Sequence, residues 1–240
     1  MHKKDHPDYP WEYITGKVIF FGREFIVTPD VLIPRLETES LVRRARNLLD
    51  MQDFDVIVDI GTGSGIIITS IANKTHNKQL FALDISSHAL HVAKKNFNYH
   101  HKHHRQYNLC HFIQMDLLEG FEECLWEKPQ NFLFLTNLPY IKLWDWENMS
   151  ADTRFEPEIA LFGGEKTGFE MYERLFAQLW ALNIEHWTLI IEFGFDQRTV
   201  AEEIIQKFDW NYEFFADYAG IERFCEIIFD HRPNKGSIYT

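Results

Sequence analysis

Apolar residues fall along this chain in two rhythms. Short unbroken apolar runs at 55–60, 79–85, 109–118, 132–137 and 187–194 are rich in β-branched and aromatic residues, the pattern of strands buried on both faces. Between them, apolar positions recur at helical spacing over 37–49, 66–74, 86–100, 168–182 and 196–208; in the first stretch Leu41, Val42, Ala45, Leu48 and Leu49 share one face. Two further β-rich runs, 212–219 and 223–230, follow. Strands alternating with helices predict an α/β fold on a mainly parallel sheet, in which ligands bind beyond the carboxyl ends of the strands. Ahead of this pattern, KVIFFGREFIVT (17–28) sets two β-rich runs around Gly22, a hairpin signal. The expected organisation is an arm or frayed helical remnant over 1–16, a hairpin and linking loop over 17–36, and the main domain over 37–240.

Strand ends are therefore the place to look for chemistry. The first run ends in VDIGTGSGIII (58–68), where Asp59 precedes Gly61, Gly63 and Gly65, with Thr62 and Ser64 between them. Glycine lets a ligand lie against the backbone. Position 66 is Ile, so the dinucleotide fingerprint is not met, and the Lys-Ser/Thr of a phosphate loop is missing. Asp84 ends the second strand, followed by Ile85, where an acid can accept from ribose hydroxyls. Asp116 closes the third run; its carboxylate could take an exocyclic adenine amine with Leu117 beside the ring, or serve as a turn cap. A nucleoside without phosphate fits this set, and S-adenosylmethionine is one.

The fourth run, FLFLTNLPYIK (132–142), stops on Asn137, Leu138, Pro139 and Tyr140. The Asn137 side-chain oxygen could accept from a substrate NH2. Leu138, held extended by the following proline, could aim its carbonyl at the second hydrogen. Tyr140 would supply an aromatic face. Proline at 138 would keep the carbonyl, so it should be tolerated unless the Leu138 N–H is bonded in the fold. The constellation suits a planar nitrogen, an amide or the exocyclic amine of a base.

Composition narrows this. A formal net charge of −12 and a pI near 5.4 argue against a protein that holds nucleic acid chiefly through phosphates. Basic stretches at 43–46 (RRAR) and 94–105 leave transient RNA contact open. Cys110, Cys124 and Cys225 are far apart and read as reduced thiols, which with the absence of a signal-like or membrane-length apolar run predicts a cytoplasmic protein. The histidines of HHKHH (100–104) read as a solvated helix end, so no metal is expected. Glu192 and Gly194 end the fifth strand and read as architectural, Phe25 as hairpin core, and Trp144 and Trp146 as groove lining or loop packing.

The stretch around Asn137 resembles the Asn-Pro-Pro-Tyr motif of the HemK-like release-factor glutamine methyltransferases, which are class I S-adenosylmethionine-dependent enzymes. The likeness extends in order through FFGREFIVTPDVLIPRLETESLV (20–42), the glycine turn, ALDISSHALHVAKKN (82–96), RFEPEIALFGGEKTGFEMYERLF (154–176), IIEFGFDQ (190–197) and DYAGIERF (217–224). It implies a Rossmann-like seven-stranded sheet, mostly parallel with its last strand antiparallel, preceded by a β-hairpin. S-adenosylmethionine would be the methyl donor, leaving S-adenosylhomocysteine. Asp59, Gly61, Thr62, Gly63, Ser64, Gly65, Asp84, Ile85, Asp116, Leu117 and Asn137 would form the cofactor side, and Asn137, Leu138, Pro139 and Tyr140 the reacting side. Arg35 and Glu37, with Glu156 and Pro157, match two family loops at the mouth of the site, or form structural salt bridges. The implied substrate is the Gly-Gly-Gln glutamine of a peptide chain release factor, taken by a monomer. The alternatives are an adenine amine in RNA and a catalytically silent binding module of the same fold.

Two features depart from the family. The motif reads Asn-Leu-Pro-Tyr here, as in rRNA adenine dimethyltransferases. About sixteen residues precede the hairpin, where the family carries a small helical bundle, so the hairpin and the loops around Arg35 and Trp144 are expected to carry docking. Transfer from a sulfonium demands no strong catalytic base.

Overall fold

A computed structural model describes residues 5–102, 109–125, 129 and 131–230. A seven-stranded sheet forms its centre, in the order β10-β11-β9-β6-β3-β4-β5. The strands are β3 (Val56–Ile60), β4 (Gln79–Asp84), β5 (Cys110–Gln114), β6 (Phe132–Thr136), β9 (His186–Glu192), β10 (Asn211–Ala216) and β11 (Glu222–Asp230). Strands β5, β4, β3, β6 and β9 run parallel, and β11 pairs antiparallel with both β9 and β10. The expected architecture, with the last strand antiparallel and a hairpin in front, is the one found.

Alternation along the strands builds two cores. Val56, Val58, Ile60, Phe132 and Phe134 face one side, where α5 (Glu170–Ala181) and α6 (Arg198–Ile205) pack. Ile57, Leu133 and Leu135 face the other, against α2 (Thr38–Met51), α3 (Ile66–Ile71) and α4 (Ser87–His101). The hairpin of β1 (Lys17–Phe20) and β2 (Arg23–Ile26) joins this second core through Phe20 and Phe25, both buried. Before it, residues 11–15 form the short helix α1 (Trp11–Thr15); Tyr9 and Tyr13 pack with Val31 and Ile33 on the linking loop, and the Tyr13 hydroxyl donates to the Val31 carbonyl at 2.6 Å.

Strand β3 starts the sheet, β4 and β5 extend it one way and β6 and β9 the other, so the chain reverses its direction of winding between β3 and β6. Ligands bind at such a reversal, beyond the carboxyl ends. Two small strands escaped the periodicity reading: β7 (Ile141–Lys142) and β8 (Phe162–Gly164) form a separate parallel pair. Runs of two and three residues carry no period to detect. His103, His104 and Arg105 of the histidine-rich stretch lie outside the described residues. No helix among the described residues is long and apolar enough to cross a membrane.

Candidate active site

A cleft opens where the winding reverses. The turn after β3 forms one wall, the ends of β4 and β5 a second, and the end of β6 a third. Gly61, Thr62, Gly63, Ser64, Asp84, Ile85, Asp116, Leu117, Asn137, Leu138, Pro139 and Arg35 all line it. Asp59, Gly65, Tyr140, Glu37, Glu156 and Pro157 do not.

The glycine turn is held from below and from the side. Asp59 is fully buried; its Oδ2 accepts from the Thr62 hydroxyl at 2.7 Å and the Ile68 N–H at 3.2 Å, tying the turn to the first residues of α3. Burial pushes its carboxyl up to about 7, against those hydrogen bonds. Gly63 has φ +55 and nothing within 4 Å of where a Cβ would sit, so its backbone faces open cleft. Gly65 instead begins α3 and lies against Ala93 of α4.

Asp84 faces the turn. Its Oδ2 accepts from the Gly63 N–H at 2.8 Å and its Oδ1 from the Ser86 N–H at 2.9 Å, while Ser86 caps α4 through the Ala89 N–H. Burial raises its carboxyl, and the two backbone bonds pull the other way. Each carboxylate oxygen retains a further lone pair for a ligand hydroxyl.

Asp116 lies past the end of β5, and α5 reaches it: Arg174 pairs with its Oδ2 at 2.6 Å. The carboxylate is therefore part of an ion pair on the cleft wall, a partner that its position in sequence did not reveal. Leu117 beside it adopts φ +57, an unusual conformation for leucine. Gln178 of α5 accepts from the following N–H, that of Leu118, at 2.8 Å.

At the end of β6 the Asn137 Nδ2 donates to the Thr38 hydroxyl at 3.2 Å. The Leu138 N–H donates to the Tyr172 hydroxyl at 3.0 Å, so the condition for a harmless proline at 138 is not met. Tyr140 does not reach the cleft wall; it packs against the core beneath the motif, and burial raises its phenol. Its carbonyl accepts from Gln197 Nε2 at 2.8 Å, and the same nitrogen donates to the Thr167 carbonyl. A Cβ at Gly163 would lie 2.3 Å from the Pro139 carbonyl oxygen, so the LFGG segment can pack on the motif only as glycine. Gln197 and Gly163 thus support the motif backbone, and in the sequence their only trace is the blocks IIEFGFDQ and LFGG.

The two mouth loops turn out to be one unit. Glu156, buried, accepts from the Ile33 N–H at 2.8 Å and pairs with Arg35. The salt-bridge reading therefore describes the contact, made between the loops rather than within each. Glu37 stands at the start of α2 with no capping bond from its side chain. Trp144 is exposed, with Nε1 on the Glu165 carbonyl at 3.1 Å, while Trp146 packs on Phe162 at 5.8 Å.

Comparison with known proteins gives the arrangement a lineage. A family model described as a methyltransferase domain matches residues 52–136, which contain the glycine turn, Asp84 and Asp116. In solved structures, the human METTL16 catalytic domain bound to a MAT2A 3′UTR hairpin superposes with a TM-score of 0.60 at 13% identity, covering 89% of this chain and 77% of that one. The N-terminal domain of human METTL16 in complex with SAH gives 0.56 at 17% identity, again over 89% and 77%. At these identities the likeness concerns the fold. A release factor glutamine methyltransferase of Koribacter versatilis (strain Ellin345) is 34% identical over 229 residues, 94% of this chain and 76% of its own length. With agreement that extends over nearly the whole sequence, the chain belongs to the release factor glutamine methyltransferase family.

Proposed function

We infer that this chain transfers a methyl group from S-adenosylmethionine to the side-chain amide of a glutamine in a peptide chain release factor, at the Gly-Gly-Gln loop. The observation that carries the reading is Asn137: an amide on the cleft wall whose Nδ2 is anchored on Thr38, which leaves Oδ1 as the acceptor it can offer a substrate NH2. The residues present fit the cofactor. The open face of Gly63 allows close approach, Asp84 has lone pairs for ribose hydroxyls, and Ile85 and Leu117 offer apolar walls to a ring. When bound, S-adenosylmethionine supplies an activated methyl group and a neutral thioether leaving group.

The chain's own task is then orientation. An amide nitrogen is a weak nucleophile, and holding it in line accounts for as much as roughly 7–11 kcal/mol in favourable cases. Asn137 Oδ1 would take one N–H and the Leu138 carbonyl the other. That carbonyl is fixed by Pro139 after it and by the Tyr172 hydroxyl on its own N–H.

The first of the two basic stretches that left RNA contact open, RRAR, is engaged elsewhere. Arg43 pairs with Glu39, Arg44 with Glu213 and Glu226, and Arg46 donates to Asn73 and the Ser70 carbonyl. That stretch therefore offers no free cations to a phosphate backbone, in keeping with a protein substrate. The test is methyl transfer from labelled S-adenosylmethionine to purified release factor, with its Gly-Gly-Gln intact or the glutamine replaced. Label is expected only on the intact protein; equal labelling of both would overturn the reading.

A further inference from the structure

An asparagine amide has two ends of opposite polarity, and only its oxygen suits a substrate NH2. Something must decide which end faces the cleft. In the parallel pairing of β6 with β9, Thr136 aligns with Ile191, so Asn137 and Glu192 follow side by side as the two strands end. Thr38 at the start of α2 lies with them; Thr38 and Glu192 are each 1% exposed.

We propose that Glu192 is a positioning residue: as its anion it sets the direction of the hydrogen-bond chain through Thr38 to Asn137, and so holds the Asn137 oxygen toward the nitrogen to be methylated. This rests on the glutamine-amide reading above. Asn137 Nδ2 donates to Thr38 Oγ1 at 3.2 Å. Thr38 and Asn137 both lie beside the Glu192 carboxyl and favour its anion as donors; with the Thr38 oxygen already accepting from Asn137, the single Thr38 proton is left to point to that carboxylate. A carboxylate only accepts, so every donor of the chain must point toward it. A protonated carboxyl can donate, and the chain can then run in reverse: acid O–H to Thr38, Thr38 O–H to the amide oxygen, NH2 toward the cleft. A donor would then face the substrate's donors.

The surroundings place that switch within reach. Burial pushes the Glu192 carboxyl up to about 7, opposed by the bond from Thr38, the Arg223 guanidinium on β11 and the bond from Asn137. Glu37 at the start of α2 adds to the rise. Tyr140 in the motif and Tyr172 on α5 also face Glu192, and burial keeps both phenols neutral. Arg223 is shared with Asp217, 2.8 Å away. Among the described residues Glu192 Oε2 has no hydrogen-bond partner, so an oxygen is open to the proton.

The experiment uses the full chain labelled with 15N-asparagine, without cofactor or substrate, and follows the Asn137 side-chain amide signal from about pH 5.5 to 8.5, a window bracketing the raised carboxyl. The signal is assigned by its loss in Asn137→Ala. It should titrate in the parent and stay fixed in Glu192→Gln; if Glu192→Gln does not fold, Thr38→Val, which removes the relay and leaves only the direct contact of Asn137 with the carboxylate, should shrink the shift, and an undiminished shift there counts against the proposal. In parallel, the acidic limb of kcat with release factor should vanish in Glu192→Gln, with kcat about ten-fold lower at alkaline pH and cofactor affinity within about two-fold of the parent. An Asn137 signal that ignores pH in the parent, or titrates equally in Glu192→Gln, overturns the proposal. A titrating signal in a parent that methylates no release factor supports the positioning chain and rejects the substrate reading.

Discussion

The Tyr172 hydroxyl joins Leu138 to Glu192: it accepts from the Leu138 N–H at 3.0 Å and donates to the Glu192 carbonyl. One buried phenol on α5 thus binds the Asn137–Tyr140 end of β6 to the end of β9. Leu138→Pro removes the donor and the packing of a side chain that is 3% exposed in the core. Stability should fall by roughly 1–3 kcal/mol, the loss expected for a buried hydrogen bond together with lost contacts. Urea unfolding measures this. Activity should survive better than in any variant lacking Asn137, because the carbonyl at 138 remains.

Asn137→Ala should separate turnover from cofactor affinity. Deleting a positioned hydrogen-bonding group from an active site removes about 2.7–4 kcal/mol of transition-state stabilisation, or roughly a hundred- to a thousand-fold in kcat. Asp84 and the glycine turn are untouched, so the dissociation constant for S-adenosylmethionine should move less than about three-fold. Single-turnover methyl transfer and calorimetry give the two numbers; parental turnover in a folded variant would make the amide structural.

Asp84→Ala should behave in the opposite sense. Hydrogen bonds to a charged acceptor contribute about 1.5–3 kcal/mol, so cofactor affinity should drop roughly ten-fold or more. The same carboxylate receives the Gly63 and Ser86 N–H groups, so the turn itself should loosen. Hydrogen exchange at Gly63 would then speed up even without ligand. Unchanged cofactor binding by calorimetry would remove Asp84 from the site.

Arg35→Met tests whether the two mouth loops act as one unit. It leaves the Glu156 carboxylate buried with the Ile33 N–H as its remaining donor among the described residues, and breaking a fully buried pair costs about 3–5 kcal/mol. Arg35 is 34% exposed, so water screens part of the interaction and about 1–3 kcal/mol is expected. The loosening should be local: proteolysis within 30–36 and 152–160 should accelerate while cleavage near the hairpin tip at Gly22 does not.

The sheet, its helices and the hairpin were legible because buried strands and amphipathic helices leave a period in the sequence. The glycine turn and Asn137 were legible as strand-end residues, and the fold sets them on one cleft. Contacts between distant segments were not. Nothing local at Arg174 points to Asp116, 58 residues earlier in the chain, and nothing at Tyr172 points to Leu138. The blocks RFEPE, LFGG, IIEFGFDQ and DYAGIERF were visible only as likeness. In the fold, Glu156 fastens the mouth loops, Gly163 and Gln197 pack on or bond to the Pro139–Tyr140 backbone, and Asp217 pairs with Arg223 behind Glu192. Each block brackets the site from a different part of the chain, so its meaning exists only in three dimensions.

Asp59 carries the last prediction, because its buried carboxyl links the glycine turn to pH. Burial pushes that carboxyl up to about 7 in the fold, against an ordinary value of 3.8. Between those values the folded state binds a proton that the unfolded chain has lost, so stability is fullest below the unfolded value and declines as pH rises toward the folded one. From about pH 5.5 to 7 the slope of 1.36 kcal/mol per unit amounts to roughly 2 kcal/mol, after which the loss is complete. Asp59→Asn should remove this contribution. Its side-chain oxygen can still accept from Thr62 and Ile68, while the amide nitrogen replaces Oδ1, which has no partner among the described residues. Urea unfolding should therefore find the variant more stable than the parent by about 2 kcal/mol at pH 8 relative to their difference at pH 5.5. Glu192 contributes a decline of the same sign in both proteins and cancels from the comparison. A difference between parent and variant that does not change with pH would mean that Asp59 is ionised throughout this range, and that the turn is held by a buried anion.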